Sequence, residues 1–245
     1  MNQQIRQWHR GPSTANLEAI ILGVTPALTR LNWPSGTVAT GFDSSPNVIR
    51  ALWPSQLPKQ WEAICCPWQE IPRHRESCHV VVGDGALNVC RYPEGIQTLL
   101  ATVRQVLHRD GILVLRCYVR PESCESAEQL FSVMRSGVGV SVDQFKFRLY
   151  LSTQRSVTRG VSVRDAYEEI ANRGVTTRTM IEDFGWSPAS VAPFELWPQS
   201  TAVYTFPTLQ ELKALLLDDF QILDVVTPTY PLGEHCPTIT CSLRS

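Results

Sequence analysis

Residues 18–43 read as a buried strand, a sharp turn, a short helix and a second strand that ends in an acid. Ala19-Ile20-Ile21-Leu22 is a continuous apolar run, as expected of a strand covered on both faces in a parallel sheet. Gly23 follows directly. It tolerates backbone angles closed to other residues and lets a ligand approach the main chain. Pro26 has no amide hydrogen to lose in a first helical turn, so Thr25 is expected to cap a helix that begins around Ala27. The second strand, residues 37–42, runs into Asp43, twenty residues after the glycine. That spacing fits a nucleotide-binding unit in which the first turn faces the ligand and an acid on the second strand holds ribose hydroxyls. Turns of this kind also occur in α/β domains that bind nothing, so the pattern alone leaves both readings open.

The turn offers one glycine, Gly23-Val24-Thr25-Pro26-Ala27, where a G-x-G-x-x-G pyrophosphate cradle uses three. A dinucleotide diphosphate is therefore disfavoured, and a nucleoside without phosphates asks less of the backbone. A second candidate ligand segment follows the strongly β-branched run His79-Val80-Val81-Val82: Gly83-Asp84-Gly85 places a carboxylate between two glycines at a strand's carboxyl end. Open α/β sheets bind their ligands there. The same triplet also fits a plain turn whose Asp caps a helix.

The 245 residues suffice for one large domain or for a core with an insertion, and 43% hydrophobic against 18% charged residues supports a packed interior. A formal charge of −1 gives no basic field for nucleic acid. No apolar run reaches the length of a membrane span and the first residues lack a signal peptide's apolar segment, so a cytoplasmic location is expected, with no membrane partner. The eight cysteines contain no C-x-x-C pair, and Cys78-His79 and His235-Cys236 are adjacent pairs, a poor geometry for one zinc. No metal site is expected; Cys65, Cys90, Cys117 and Cys241 lie in apolar stretches and read as small core residues.

Along the rest of the chain, residues 1–17 are polar and read as a frayed end or as a flap over a ligand pocket. Ser44-Ser45-Pro46 is a helix entry, and Val48, Ile49, Leu52 and Trp53 form the apolar face behind it. Further strands are expected at residues 63–66, 79–82 and 112–115, with an amphipathic helix over 93–107 that ends in His108-Arg109-Asp110. Another helix carries Ala127, Leu130, Phe131 and Met134 on one face. Residues 138–207 break the alternation, with helical patterns and an aromatic-rich stretch from Phe184 to Phe206. A helix around Leu209–Leu216 and strands at 220–226 and 237–243 then restore it. The loop between these last strands is too short for a crossover helix, so they should pair antiparallel.

This order of elements resembles the class I S-adenosylmethionine-dependent methyltransferases, over roughly residues 17–136 and 208–245. The resemblance rests on Ile21-Leu22-Gly23-Val24-Thr25-Pro26, Gly41-Phe42-Asp43-Ser44-Ser45, Val82-Gly83-Asp84-Gly85-Ala86-Leu87-Asn88 and the Leu-x-x-x-Gly-Ile-Leu-Val-Leu run from Leu107 to Leu115. It is similar to a bacterial branch whose first turn reads LGVTP. The resemblance implies a doubly wound, Rossmann-like sheet of seven mostly parallel strands with an antiparallel C-terminal strand. It implies a core of residues 1–137 and 208–245, with 138–207 as a mainly helical insertion that caps the acceptor.

The implied cofactor is S-adenosyl-L-methionine. Gly23, Thr25 and Pro26 would pass along its methionine and ribose, Asp43 would take both ribose hydroxyls, and Ser44 would lie beside the adenine. Gly83, Asp84 and Gly85 would line the methionine end, with Asp84 the candidate nearest the transferred methyl. The chain departs from the family at Pro67, where many relatives carry an acid for the adenine amino group; Trp68 could flank the adenine as an apolar wall. Tyr92, Arg116 and Arg120 are further candidates at the mouth, the arginines either for an acidic acceptor or for structural ion pairs. The implied activity is methyl transfer to a small-molecule acceptor. The alternative, favoured by Pro67, is a catalytically silent cofactor-binding or protein-interaction module on the same fold. A nicotinamide oxidoreductase or a nucleophilic hydrolase finds little support, because Tyr-x-x-x-Lys and G-x-S-x-G are both missing.

Overall fold

The computed structural model describes residues 1–9, 17–72 and 78–244. The chain opens with helix α1 (Asn2–His9), strand β1 (Glu18–Leu22), the single-turn helix α2 (Pro26–Thr29), β2 (Val38–Asp43), α3 (Pro46–Leu52), β3 (Glu62–Cys65), β4 (Cys78–Asp84), α4 (Glu94–Val106) and β5 (Leu107–Arg116). There follow α5 (Ala127–Arg135), α6 (Val142–Thr153), β6 (Val161–Ser162), α7 (Val163–Ala171), α8 (Thr177–Glu182), α9 (Pro188–Val191) and β7 (Val203–Tyr204). Helix α10 (Leu209–Leu216), β8 (Phe220–Val226) and β9 (Thr238–Leu243) complete it. Two compact units result: Met1–Tyr118 with Leu209–Ser245, and Val119–Thr208.

The first unit is built on a seven-stranded sheet in the order β3-β2-β1-β4-β5-β9-β8. The first five strands in that order are parallel, and β9 runs antiparallel to both neighbours. This is the doubly wound, Rossmann-like arrangement expected from the sequence, with the last two strands paired antiparallel. The order reverses at β1, whose neighbours are β2 and β4, so a ligand crevice is expected beyond the carboxyl ends of these strands. The central strands are buried on both faces: Ile21, Val80, Val81, Val82, Leu113 and Val114 are all shielded from solvent. On one face Ile21, Val82 and Val114 pack with Ile5 of α1. Helix α4 turns Ile96, Leu99, Leu100 and Val103 inward.

The N-terminal segment is neither frayed nor a flap where it is described. Residues Asn2–His9 form a helix, Ile5 is fully buried, and the Trp8 Nε1–H donates to the Asp110 carbonyl at 2.8 Å. Burial of Ile5 alone contributes about 2 kcal/mol. The remainder of that segment, residues 10–16, lies outside the described residues. Strand β5 also starts earlier than its apolar run. His108-Arg109-Asp110, read from sequence as a helix end, belongs to the strand, which pairs at Cys78↔Leu107 and then shifts register to Val80↔Ile112.

The second unit is helical apart from the short β6–β7 pair. Its core gathers Phe131 and Met134 of α5, Phe145 and Leu149 of α6, and Trp186, Phe194 and Trp197 from the aromatic-rich stretch. The Phe145 and Trp186 rings lie 5.1 Å apart and the Trp186 Nε1–H donates to the Val140 carbonyl at 2.8 Å. Capping boxes at Ser126/Gln129 and Ser141/Gln144 start α5 and α6. Because α5 packs with α6, the unit takes in residues ahead of 138. Among the described residues no helix is long and apolar enough to cross a membrane.

Candidate functional site

At the carboxyl ends of β1, β2 and β4 lies a cleft of about 630 Å³, within the range of small-molecule sites. The three strand ends meet there for reasons traceable to single residues. Gly23 leaves β1 with φ +89°, a conformation that side chains with a Cβ resist. Its amide donates to the Phe42 carbonyl at 2.8 Å, and the Trp68 indole Nε1–H donates to the same oxygen at 2.6 Å. One carbonyl of β2 thus fastens both the first turn and the aromatic ring beyond β3. A Cβ placed on Gly23 would lie 3.8 Å from the Trp68 ring and 4.0 Å from Asp43 Oδ2. The open side of the turn therefore faces both.

Asp43 is the last residue of β2. Its Oδ1 accepts the Ser45 amide at 2.9 Å, which fixes the carboxylate toward the cleft and leaves Oδ2 beside the turn. Ser45, not Ser44, caps α3 by accepting the Val48 amide at 3.3 Å, and Ser44 lines the cleft. Thr25 also lines it, but makes no side-chain cap to the four-residue α2; the expected capping bond is not formed. Pro26 occupies the first turn of that helix and does not reach the cleft wall.

On the β4 side, Asp84 and Gly85 line the cleft while Gly83 is a packing residue. A Cβ at Gly83 would come within 2.9 Å of Ala86 and of Leu115. Gly85 takes φ +66°, with the Tyr118 ring 2.9 Å from where its Cβ would sit. The Asp84 carboxylate is held from two sides. Arg116, opposite it in the β4–β5 register, donates Nε–H to Oδ1 at 2.6 Å and Nη2–H to Oδ2, and the Tyr118 hydroxyl donates to Oδ1 at 3.3 Å. The hydrogen bond to Asp84 holds the Arg116 guanidinium firmly in its charged form. Burial, then the adjacent carboxylate, pushes the Tyr118 phenol well above its ordinary value. Arg116 is thus a structural partner of Asp84. Tyr118 is clasped in turn by Asn88, whose amide bonds both its carbonyl and its amide at 2.7 and 3.0 Å.

Pro67 and Trp68 both line the cleft. The cleft also has an apolar wall: Val48 and Leu52 of α3, with Val89, are 37%, 44% and 51% exposed and all line it. Helical periodicity marked Val48 and Leu52 as an apolar face but does not say whether such a face meets core or ligand. Gln69 and Arg91 were missed altogether; both line the cleft, and Arg91 is its one cation among the described lining residues. Cys90 lines it as a neutral thiol, its pKa pushed up to about 11 by burial. Cys90, Cys117 and Cys241 are buried as expected, whereas Cys65 is exposed, because β3 is the edge of the sheet. Among the described residues no group of three or more His, Cys, Asp or Glu side chains is placed to hold a metal ion.

The arrangement suits a nucleoside. A carboxylate beside an open turn offers acceptors to a diol, and Val48, Leu52 and Trp68 supply apolar area for a base. A pyrophosphate finds no such fit, since α2 has four residues and the cation of the cleft, Arg91, lies on the β4 side.

No family model matches the chain, and no curated protein matches it. Solved structures do. The Burkholderia thailandensis 1,6-didemethyltoxoflavin-N1-methyltransferase with bound 1,6-didemethyltoxoflavin and S-adenosylhomocysteine is 12% identical, with 100% of this chain and 76% of that one covered at a TM-score of 0.53. A Listeria monocytogenes protein named for the S-adenosylmethionine dependent methyltransferases is 12% identical over 98% of this chain and 96% of that one, TM-score 0.52. A Rhodobacter sphaeroides protein named for the zinc-dependent alcohol dehydrogenases is 13% identical over 100% and 90%, TM-score 0.61. At these identities the likeness shows a shared fold, and a fold of this kind hosts more than one chemistry.

Proposed function

We propose that this protein is an S-adenosyl-L-methionine-dependent methyltransferase acting on a small-molecule acceptor. The observation that carries the reading is the meeting of Gly23, Asp43 and Trp68 at one end of the cleft, with the Asp43 carboxylate held toward the open turn. The neighbours whose names speak of S-adenosylmethionine or its demethylated product support it.

In this reading the cofactor supplies an electrophilic methyl on a sulfonium. The chain's own residues bind and align. Asp43 accepts from the two ribose hydroxyls, and the Gly23–Thr25 backbone runs along the ribose and methionine. Trp68, Val48 and Leu52 enclose the adenine, while Ser44 and Pro67 border it. With a proline at position 67 the enclosure rests on apolar contact, and Gln69 is the nearby side chain able to pair with a base edge. Asp84 and Gly85 shape the methionine end. The Asp84 carboxylate already accepts three hydrogen bonds of roughly four it can take. We therefore assign it to shaping the pocket, and proton removal from an acceptor to no residue of the β4 end. In-line displacement needs alignment and exclusion of water more than it needs a base.

The test is calorimetric titration of the whole protein with S-adenosylmethionine, S-adenosylhomocysteine and NAD. Binding of the first two in the micromolar range, with none of NAD, is the expected outcome. Absence of binding by both adenosyl compounds overturns the reading.

A further inference from the structure

Asp43 and Asp84 are the carboxylates among the described lining residues of the cleft, and neither serves the edge of a base. Asp84 is held on the β4 side by Arg116 and Tyr118, and Asp43 faces the first turn. The main chain beyond β2 and β3 is engaged as well. The Phe42 carbonyl accepts from Gly23 and from Trp68, and the Asp43 carbonyl accepts the Cys66 amide at 3.0 Å. The Pro67 and Trp68 carbonyls accept the Glu70 and Ile71 amides at 2.9 and 3.4 Å. Pro67 brings no amide hydrogen, and the Trp68 indole N–H is committed to Phe42.

The polar side chains left at this end are Ser44 and Gln69. Both line the cleft, both are exposed, and neither side chain makes a hydrogen bond within the described residues. Each is a donor and an acceptor at once. A glutamine amide turned by half a circle about its last torsion exchanges its oxygen for its NH2. It therefore pairs with an edge that reads donor then acceptor, and equally with the reverse. An ionised carboxylate has no such freedom, because it only accepts. The two edges are those of the common purines: a 6-aminopurine donates from N6 and accepts at N1, whereas a 6-oxopurine accepts at O6 and donates from N1.

We infer that the cleft takes 6-amino and 6-oxo purine nucleosides alike, with Gln69 the residue that reads either edge. The inference rests on the methyltransferase reading for the place of the base against Trp68, Val48 and Leu52, and it widens the ligand class from adenosyl to inosyl thioethers. Asp43 meets the same ribose in both, and the apolar walls meet the same ring faces.

The test is calorimetric titration of the intact protein at neutral pH with S-adenosylhomocysteine and its 6-oxo counterpart, S-inosylhomocysteine. The two affinities should lie within about tenfold of one another, the worth of one neutral hydrogen bond. Q69E replaces the reversible amide by fixed acceptors, which gain a charge-assisted bond from N6 and face O6 with like polarity. It should move the ratio toward the adenosyl compound by about fivefold or more. Q69L removes the pairing from both ligands and should weaken each by about two- to tenfold, leaving the ratio in place. Gln69 is exposed on a short turn, Trp68–Glu70, so both variants should fold like the parent. Adenosyl binding that exceeds inosyl binding by more than about tenfold in the parent, or a ratio that Q69E moves by less than about fivefold, overturns the inference while the methyltransferase reading stands. Binding of neither compound overturns both.

Discussion

Arg116 offers the sharpest energetic test of the β4–β5 end. The Asp84 side chain is 8% exposed and Arg116 is its cationic partner among the described residues; the Arg116 side chain is 35% exposed. Substitution R116M keeps much of the aliphatic stem but leaves a nearly buried carboxylate with one phenol for company. Removing one member of a buried ion pair costs about 3–5 kcal/mol. Because a third of Arg116 is exposed, water can enter the space left by the guanidinium, so about 2–3 kcal/mol is the better figure. For a chain of this size that loss lowers Tm by roughly 4–12 °C. The D84N/R116M double variant has no stranded charge and should recover more than half of it. Urea unfolding of the parent, both single variants and the double variant measures the cycle, with m unchanged as the check that compactness is preserved. A loss below about 0.5 kcal/mol in R116M, or a double variant no more stable than R116M, would refute the claim that the pair anchors this end of the sheet.

Three further outcomes are expected. If Asp43 holds the ribose as proposed, D43A removes two charge-assisted hydrogen bonds and should weaken S-adenosylhomocysteine binding by about thirty- to hundredfold in calorimetry; a change under threefold counts against Asp43 as the sugar's anchor. G23A finds space, at 3.8–4.0 Å from Trp68 and Asp43, but not a comfortable backbone at φ +89°. It should cost about 1–2 kcal/mol in denaturation and lose adenosyl-ligand binding, and an unaltered affinity would show that no ligand passes close to that turn. Third, the His79 Nδ1 accepts the Glu18 amide at 3.2 Å, and burial, with His108 nearby, lowers its pKa below the ordinary 6.5. The folded state then binds fewer protons than the unfolded one, so stability from this group is present above pH 6.5 and falls as the pH drops through it. Denaturation from pH 5.5 to 7.5 should show that acid limb, and H79Q should flatten it.

Much of the first unit can be read from the chain because its signals are local. The runs Ile20-Ile21-Leu22, Val80-Val81-Val82 and Ile112-Leu113-Val114-Leu115 announce doubly buried strands, and the Gly23–Asp43 spacing places the turn opposite the acid. What escaped is where faces point and which distant residues meet. Helix α1 is mostly polar, and Ile5 with Trp8 makes too short a stripe to register as periodic. Val48 and Leu52 obey the helical period yet face the cleft, since periodicity reports that a face is apolar and not what covers it. The Asp84–Arg116 pair spans 32 residues of sequence, but its signal was present. Each charge follows its apolar strand at the same offset, and neighbouring parallel strands bring equal offsets side by side.

The doubly used carbonyl of Phe42 has a consequence for how this protein tolerates change. The acceptor belongs to the main chain, so any residue that fills the same hole in the interior can replace the phenylalanine without disturbing the lip of the crevice. The donor has no such latitude: a ring without a nitrogen at position 68 would release the loop after β3 and take from β2 the cross-tie that it shares with the glycine. Variation should therefore range over large apolar residues at the first position and stall at the second.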